Sequence, residues 1–268
     1  MKRYYDKNKQ RLVFIREHAT PSFWDKHWSA PNLKAHIEQA GQEKFFTGIT
    51  KRFLEPKEST RILEGGCGQG HIVYALAHAG YDAYGVDYAK QTVDRINQAI
   101  PELQIFPGDV TQLDFPDNYF DGYWSLGVIE HNFTGYDSII NEMQRVIRPG
   151  GYLFITFPHL SWLRKTKALL GAYPAPNNTD QEPNNFYQFA FNYHDVQRNL
   201  EQLGFIIKLH RPIDGLTGLR GEISILRPLL QTISRGTSFP LRHLKAAITE
   251  LAAPVSGHIM LQVLQKKS

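Results

Sequence analysis

A single cysteine, Cys67, stands in 268 residues, so no intrachain disulfide framework can form and a reducing, cytoplasmic setting is expected. No apolar run approaches the roughly 18 residues that a helix needs to cross a bilayer, which argues against a membrane-spanning segment. The opening stretch, Met1 to Gln10, is too polar to read as a secretory signal. No internal repeat is visible, and no metal site is assigned.

What the chain does have is enough apolar matter, 42% of its residues, to bury one large core with an appendage. The net charge of +4 is modest but unevenly spread. Residues 1–60 carry 12 basic and 7 acidic side chains, residues 61–210 carry 10 and 16, and residues 211–268 carry 8 and 3. The acidic middle would suit a cationic ligand, although solvated helix faces give the same pattern. The basic flanks could meet nucleic acid, an anionic membrane surface or an anionic substrate, and charge alone does not choose among them.

Apolar residues recur at helical spacing from Leu33 to Leu54, which predicts one amphipathic helix there. Beyond it the pattern alternates. A buried strand ends in Ile62-Leu63-Glu64, and helix 69–79, strand 83–86, helix 90–99 and strand 103–106 follow. Strand 120–125, a helix over about 136–147 and strand 152–157 continue the series. Alternation with short connections means an α/β fold with a parallel sheet covered on both faces. From His159 to Tyr193 the rhythm breaks into a stretch rich in Pro, Asn and aromatics, the composition of a functional lid. Helix 194–203 and strand 205–209 come next, then an irregular helical insertion over about 211–256 and a last strand at 258–264.

The most informative stretch is Glu64-Gly65-Gly66-Cys67-Gly68-Gln69-Gly70, a glycine loop between a buried strand and a helix. Glycine takes left-handed dihedrals cheaply and lets a ligand lie against bare backbone, so the layout marks a nucleotide-type cofactor site. A dinucleotide fingerprint needs a third small residue where His71 stands. Cys67 reads as a small packing residue rather than a nucleophile, with no base nearby in sequence. Tyr84-Gly85-Val86-Asp87 ends the second strand with an acid, where a carboxylate can accept both ribose hydroxyls; taken alone, such an Asp is more often a helix cap, and together with the glycine loop the ligand-binding reading overtakes it. Gly108-Asp109-Val110 follows the third strand, 121–131 crosses the fourth, and Arg148-Pro149-Gly150-Gly151 turns into the fifth.

The G-x-G-x-G spacing after Glu64 resembles the first motif of class I S-adenosylmethionine-dependent methyltransferases. The five blocks recur in that family's order, most like the group resembling ubiquinone and menaquinone biosynthesis enzymes. The resemblance covers about residues 60–158 and implies a Rossmann-like, mostly parallel seven-stranded sheet with helices on both faces. It implies a helical N-terminal extension over 1–58 and a methyltransferase domain over 59–268 carrying the inserted lid. Glu64, Gly66, Gly68, Asp87 and Asp109 then fall on cofactor-binding positions, with Val110 and Leu126 near adenine and the sulfonium. Phe23, Trp24 and Trp28 precede the core as cofactor-covering helices do in relatives, or else anchor an appended helix.

The expected reaction is transfer of a methyl group to a small-molecule acceptor, at an oxygen. A hydroxyl acceptor is helped by a base near neutral pKa, and His131, just past the fourth strand, is the best-placed candidate, with His159 second. A nucleic-acid methyltransferase using the basic flanks is the alternative. Against it, neither an Asn-Pro-Pro-Tyr nor an Asp-Pro-Pro-Tyr tetrapeptide follows the fourth strand, and no Pro-Cys pair is present. A non-catalytic cofactor-binding protein is a third reading. The aromatic lid with Arg220, Arg227, Arg235 and Arg242 would fit a partly apolar, anionic acceptor, or peripheral contact with a membrane.

Overall fold

The computed structural model describes residues 2–29, 31–177 and 179–268. In chain order, a hairpin of β1 (Lys2–Asp6) and β2 (Arg11–Ile15) leads to α1 (Pro21–His27), α2 (Leu33–Ala40) and α3 (Lys44–Lys51). The alternating part follows as β3 (Arg61–Gly65), α4 (His71–His78), β4 (Asp82–Asp87), α5 (Lys90–Ala99) and β5 (Gln104–Pro107). It continues through β6 (Phe120–Leu126), α6 (Asp137–Val146) and β7 (Ile147–Pro158). Then come α7 (Trp162–Leu169), β8 (Phe186–Ala190), α8 (Tyr193–Gln202), β9 (Phe205–Ile213), α9 (Gly215–Glu222), α10 (Arg227–Arg235), α11 (Phe239–Ser256) and β10 (Ile259–Lys266).

Seven strands form one sheet in the order β5-β4-β3-β6-β7-β10-β9. The pairs β3–β4, β3–β6 and β4–β5 are parallel. Their near-continuous apolar sequence is what a strand covered on both faces requires, and β6 is buried from Gly122 through Ser125. Sequential strands are laid down on one side of β3 and then, from β6 onward, on the other. In open sheets of this kind ligands bind where the strand order reverses, which here is at the carboxyl ends of β3 and β6.

The chain divides into two compact units: one of 1–17, 156–198 and 209–262, the other of 18–155, 199–208 and 263–268. In the second unit the Trp124 indole stacks on Phe154 with centroids 4.6 Å apart, and its Nε1 donates to Thr50 Oγ1 at 3.0 Å. That bond satisfies the one polar atom of a fully buried tryptophan. The first unit has a core of its own, with Leu12, Phe14, Leu160 and Ala190 packed together.

Two local expectations change. The helix predicted over Leu33 to Leu54 is two, α2 and α3, separated at Gly41. A Cβ on Gly41 would lie 2.5 Å from the Tyr74 ring, so the chain turns where only glycine fits against that side chain. The helices expected in the N-terminal stretch are joined by the β1–β2 hairpin, which pairs with β8 in an antiparallel sheet of three strands. Helical periodicity cannot register such a hairpin; its turn is marked by Asp6, whose Oδ1 accepts from the amides of Asn8 and Lys9.

Candidate active site

The register of the parallel strands aligns the sequence blocks at one edge. Gly65 pairs with Val86 on one side and Ser125 on the other, and Asp87 pairs with Pro107. Gly66, Asp87, Asp109 and Leu126 therefore leave four neighbouring strands at the same end of the sheet, although Gly66 and Leu126 are 60 positions apart in the sequence.

The loop has the conformation its glycines predict. Gly66, Gly68 and Gly70 have φ of 75°, 51° and 74°. Gly66 also admits a neighbour, since a Cβ there would stand 2.5 Å from Val128 Cγ2, just past β6. At Gly68 a Cβ would stand 3.0 Å from the Trp28 indole, so that ring lies on the bare backbone of the loop. Trp28 is held there by its own carbonyl, which accepts from Gln69 Nε2 at 3.0 Å.

Asp87 braces the loop from the next strand. Its Oδ2 accepts from the Gly68 amide at 2.8 Å and its Oδ1 from the Ala89 amide at 2.9 Å. Burial raises its pKa, against which these backbone donors pull. A carboxylate has about four lone-pair sites, so two amides leave capacity for further donors. Asp109 is exposed, and its Oδ1 takes the amide and hydroxyl of Thr111, both at 2.8 Å. Tyr88 links the two acids electrostatically: burial, then the charges of Asp87 and Asp109, push its phenol upward. Val110 and Leu126 are half-buried.

Glu64 is 2% exposed, with Oε2 lacking any hydrogen-bond partner. Burial first, and then the neighbouring Asp87 charge, raise its pKa well above the usual carboxylate range. The buried Ser125 hydroxyl, on β6 in register with Gly65, is also without a partner.

His131 closes a one-turn 3-10 helix, Ile129–His131, that follows β6. Its ring meets Trp24 edge-on at 5.1 Å, and Trp24 stacks on Trp28 at 5.5 Å. Trp24 in α1 and Trp28, the residue that caps it, thus form an aromatic pair reaching from His131 to Gly68. Its place is fixed by Asp25, which accepts from the amide and hydroxyl of Thr92, and by the Ala19 carbonyl, which accepts from Tyr88. His159, the second histidine candidate, is in the other unit; burial, then Arg164, lowers it to about 3, so its ring is neutral.

Sequence reasoning passed over Glu130. It is 2% exposed, its Oε2 has no partner, and burial pushes its carboxyl up to about 8. The available signal was an acid set among Val128 and Ile129 directly after a core strand, where solvation has little reason to place one. A carboxyl that exchanges its proton near neutrality is suited to general acid or base work.

Residues 63–155 match the family model described as a methyltransferase domain. Over 98 residues the chain is 32% identical to a "probable S-adenosylmethionine-dependent methyltransferase" of Mycolicibacterium smegmatis, covering 37% of this chain and 38% of the relative. It is 28% identical to demethylmenaquinone methyltransferase of Bacillus licheniformis, covering 41% of this chain and 50% of the relative. Against the human eEF1A lysine and N-terminal methyltransferase it is 23% identical over 75% of this chain and 30% of that one. The chain thus spans half or less of the length of these curated relatives. Among solved structures, a Haloferax volcanii methyltransferase in complex with the activator Trm112 superposes with a TM-score of 0.59 at 13% identity, covering 95% of this chain and 100% of that one. At that identity the likeness is one of fold.

Proposed function

Residues 63–155 form a class I S-adenosylmethionine-dependent methyltransferase domain, and from that premise we propose that the protein methylates a small-molecule acceptor at an oxygen. The observation that carries the reading is the convergence of Glu64, Gly66, Gly68, Asp87, Asp109, Val110 and Leu126 at the carboxyl ends of four adjacent strands beside the topological switch.

The residues fit an adenosyl cofactor. Gly66 and Gly68 carry no side chains and are met by Val128 and Trp28, Asp87 and Asp109 retain acceptor capacity for hydroxyl or amino donors, and the Glu64 carboxyl is a buried polar group with one oxygen still without a partner. When bound, S-adenosylmethionine supplies a methyl group already activated by a positive sulfur. The protein's part is to orient the acceptor and keep water out. Trp24 and Trp28 give the site apolar walls. His131 is the proposed base, placed to take a proton from an acceptor hydroxyl through its ring, and Glu130, adjacent in sequence, is a second proton acceptor once ionised.

A protein amine is the second reading for the acceptor, favoured by the match to the human lysine and N-terminal methyltransferase over 75% of this chain. Calorimetric titration with S-adenosylmethionine and with its demethylated product tests the donor; binding of neither overturns the proposal. His131→Ala should lower turnover sharply while leaving donor affinity within about twofold, and unchanged turnover would remove His131 as the base.

A further inference from the structure

Most of the large apolar side chains exposed among the described residues belong to one of the two units, the one that holds α7, α10 and α11. In α11 the buried residues are Ala253 and Ser256. At about 100° per residue, Leu244, Leu251 and Val255 fall within about 40° of one another and on the opposite side of the helix. All three are exposed, Leu251 by 82%. An 18-residue helix with an apolar stripe facing water is incomplete as it stands. Its neighbours repeat the feature. Helix α7, packed on α11, exposes Trp162 and Leu169, one above the other at i and i+7, and Leu229 does the same on α10.

The charge around the stripe has one sign. Between Gly215 and Ser256 the basic residues are Arg220, Arg227, Arg235, Arg242 and Lys245, and none is in an ion pair among the described residues. The two acids of the stretch are consumed elsewhere: Glu222 is buried against Arg3, Arg164 and Lys167, and Glu250 pairs with Arg211. Arg220 and Arg227 also line a cavity of about 340 Å³ with Arg3, Phe14, Gly221 and Gln231. Arg3 is committed to Glu222 and the Gly221 carbonyl, whereas Arg220 donates to the Ser234 hydroxyl and Arg227 to the Arg220 carbonyl. Two guanidinium groups thus bring spare donors to one concavity without a carboxylate, an arrangement matched to a phosphate.

We propose that this helical face docks on an anionic phospholipid surface, with Leu244, Leu251, Val255 and their neighbours entering the headgroup boundary and the Arg220–Arg227 cavity seating a headgroup phosphate. Exposed leucine, valine and tryptophan beside unpaired cations are the features of an interfacial amphipathic face. Nucleic acid would use the cations and could stack on Trp162, but it has little use for the aliphatic stripe of Leu244, Leu251 and Val255. A second copy of the chain would set the same cations against each other. No helix among the described residues is long and apolar enough to cross a membrane, so the contact lies at the surface. The proposal does not rest on the methyl donor, and its test needs no turnover.

The full chain is sedimented with vesicles of equal parts phosphatidylcholine and phosphatidylglycerol, and with pure phosphatidylcholine vesicles. Binding should favour the anionic vesicles and weaken as salt rises from about 0.05 M to about 0.5 M. Leu251→Asp, at an exposed position, should lower the partition coefficient at least about tenfold. The double variant Arg220→Gln/Arg227→Gln should lose about thirtyfold on anionic vesicles, at about fivefold per arginine. Melting curves matching the wild type establish that both variants fold. Equal binding to the two vesicle types, or full binding by Leu251→Asp, would overturn the proposal. So would a dimer in sedimentation velocity that Leu251→Asp dissolves, which would make a second copy the occupant.

Discussion

Replacing Glu130 with glutamine should stabilise the protein, by an amount set by pH. The carboxyl is 2% exposed, Oε2 has no partner, and burial moves its pKa from 4.5 to about 8. A carboxyl raised in the folded state stays protonated there while the unfolded chain ionises. Its effect therefore runs opposite to that of a salt-bridged acid: there is no penalty below the unfolded pKa of 4.5, and one grows as pH rises toward about 8. At about 1.4 kcal/mol per pH unit, the penalty is about 3 kcal/mol at about pH 7 and about 5 kcal/mol above about pH 8. Glutamine keeps the shape and cannot ionise. The variant should match the wild type near pH 4 and melt several degrees higher near pH 7, at about 2–4 °C per kcal/mol for a chain of this size. Thermal unfolding followed by circular dichroism across this pH range is the assay. A stability gain independent of pH, or a loss near pH 7, would refute the reasoning, because either would mean that the charge of Glu130 is not what folding opposes.

Glu222→Ala should act in the other direction. It removes the anion facing Arg3 at 2.8 Å, Arg164 at 2.9 Å and Lys167 at 3.0 Å, so a loss of about 3–5 kcal/mol in urea unfolding is expected. Burial alone would raise the Glu222 pKa, but Arg164 and Arg3 outweigh it and hold it low, so its contribution is present above the unfolded carboxylate pKa and is lost as pH falls through the folded one. An equal loss at acid and neutral pH would count against that account. Gly68→Ala forces a Cβ to φ 51° and to within 3.0 Å of Trp28, and should weaken S-adenosylmethionine binding by at least about tenfold in calorimetry; unaltered affinity would detach this loop from the donor site. Because Trp28 lies on Gly68, donor binding should change tryptophan fluorescence, and Trp28→Phe should remove most of that change. A full signal in the variant would place the reporter elsewhere.

The alternating core was legible because β3, β4 and β6 are short, largely buried runs that end in or are followed by a glycine or an acid, and its helices carry one apolar face. Helix α5, for example, buries Thr92, Val93 and Ile96 at the expected spacing and was bounded correctly at Lys90 and Ala99. The acids Asp87 and Asp109 were legible as positions, since they follow strands. Their partners were not. That Asp87 would give both oxygens to the Gly68 and Ala89 amides depends on the register of β3 and β4, which no local window contains. The β1–β2 hairpin escaped for a related reason. Its third strand, β8, is paired with Leu12 through Ala190, a contact across most of the chain. Glu130 was visible as a letter but not as a buried group, because burial is a property of the assembled sheet edge.

Two kinds of buried acid occur in this molecule. Glu222 is surrounded by three cations and the Tyr173 hydroxyl, so its charge is met inside the protein and its pKa is lowered. Glu64 and Glu130 are just as buried, yet each leaves an oxygen without a partner and each is raised in pKa. A fold selected only for stability would replace such groups, since an unpartnered buried polar atom costs about 1–3 kcal/mol. Both lie on or just after the adjacent strands β3 and β6, at the edge where the glycine loop and the switch in strand order converge, and Ser125 adds a third unpartnered group between them in sequence. Unpartnered buried polar groups occur elsewhere in the chain as well, at His159, Asn192 and Gln262 for example, and it is the position of these two acids beside the glycine loop that makes them candidates for a functional role. The same comparison explains why Glu222→Ala should destabilise and Glu130→Gln should not: the first substitution removes the answer to one buried and two half-buried charges, the second removes a charge that the folded protein never answers.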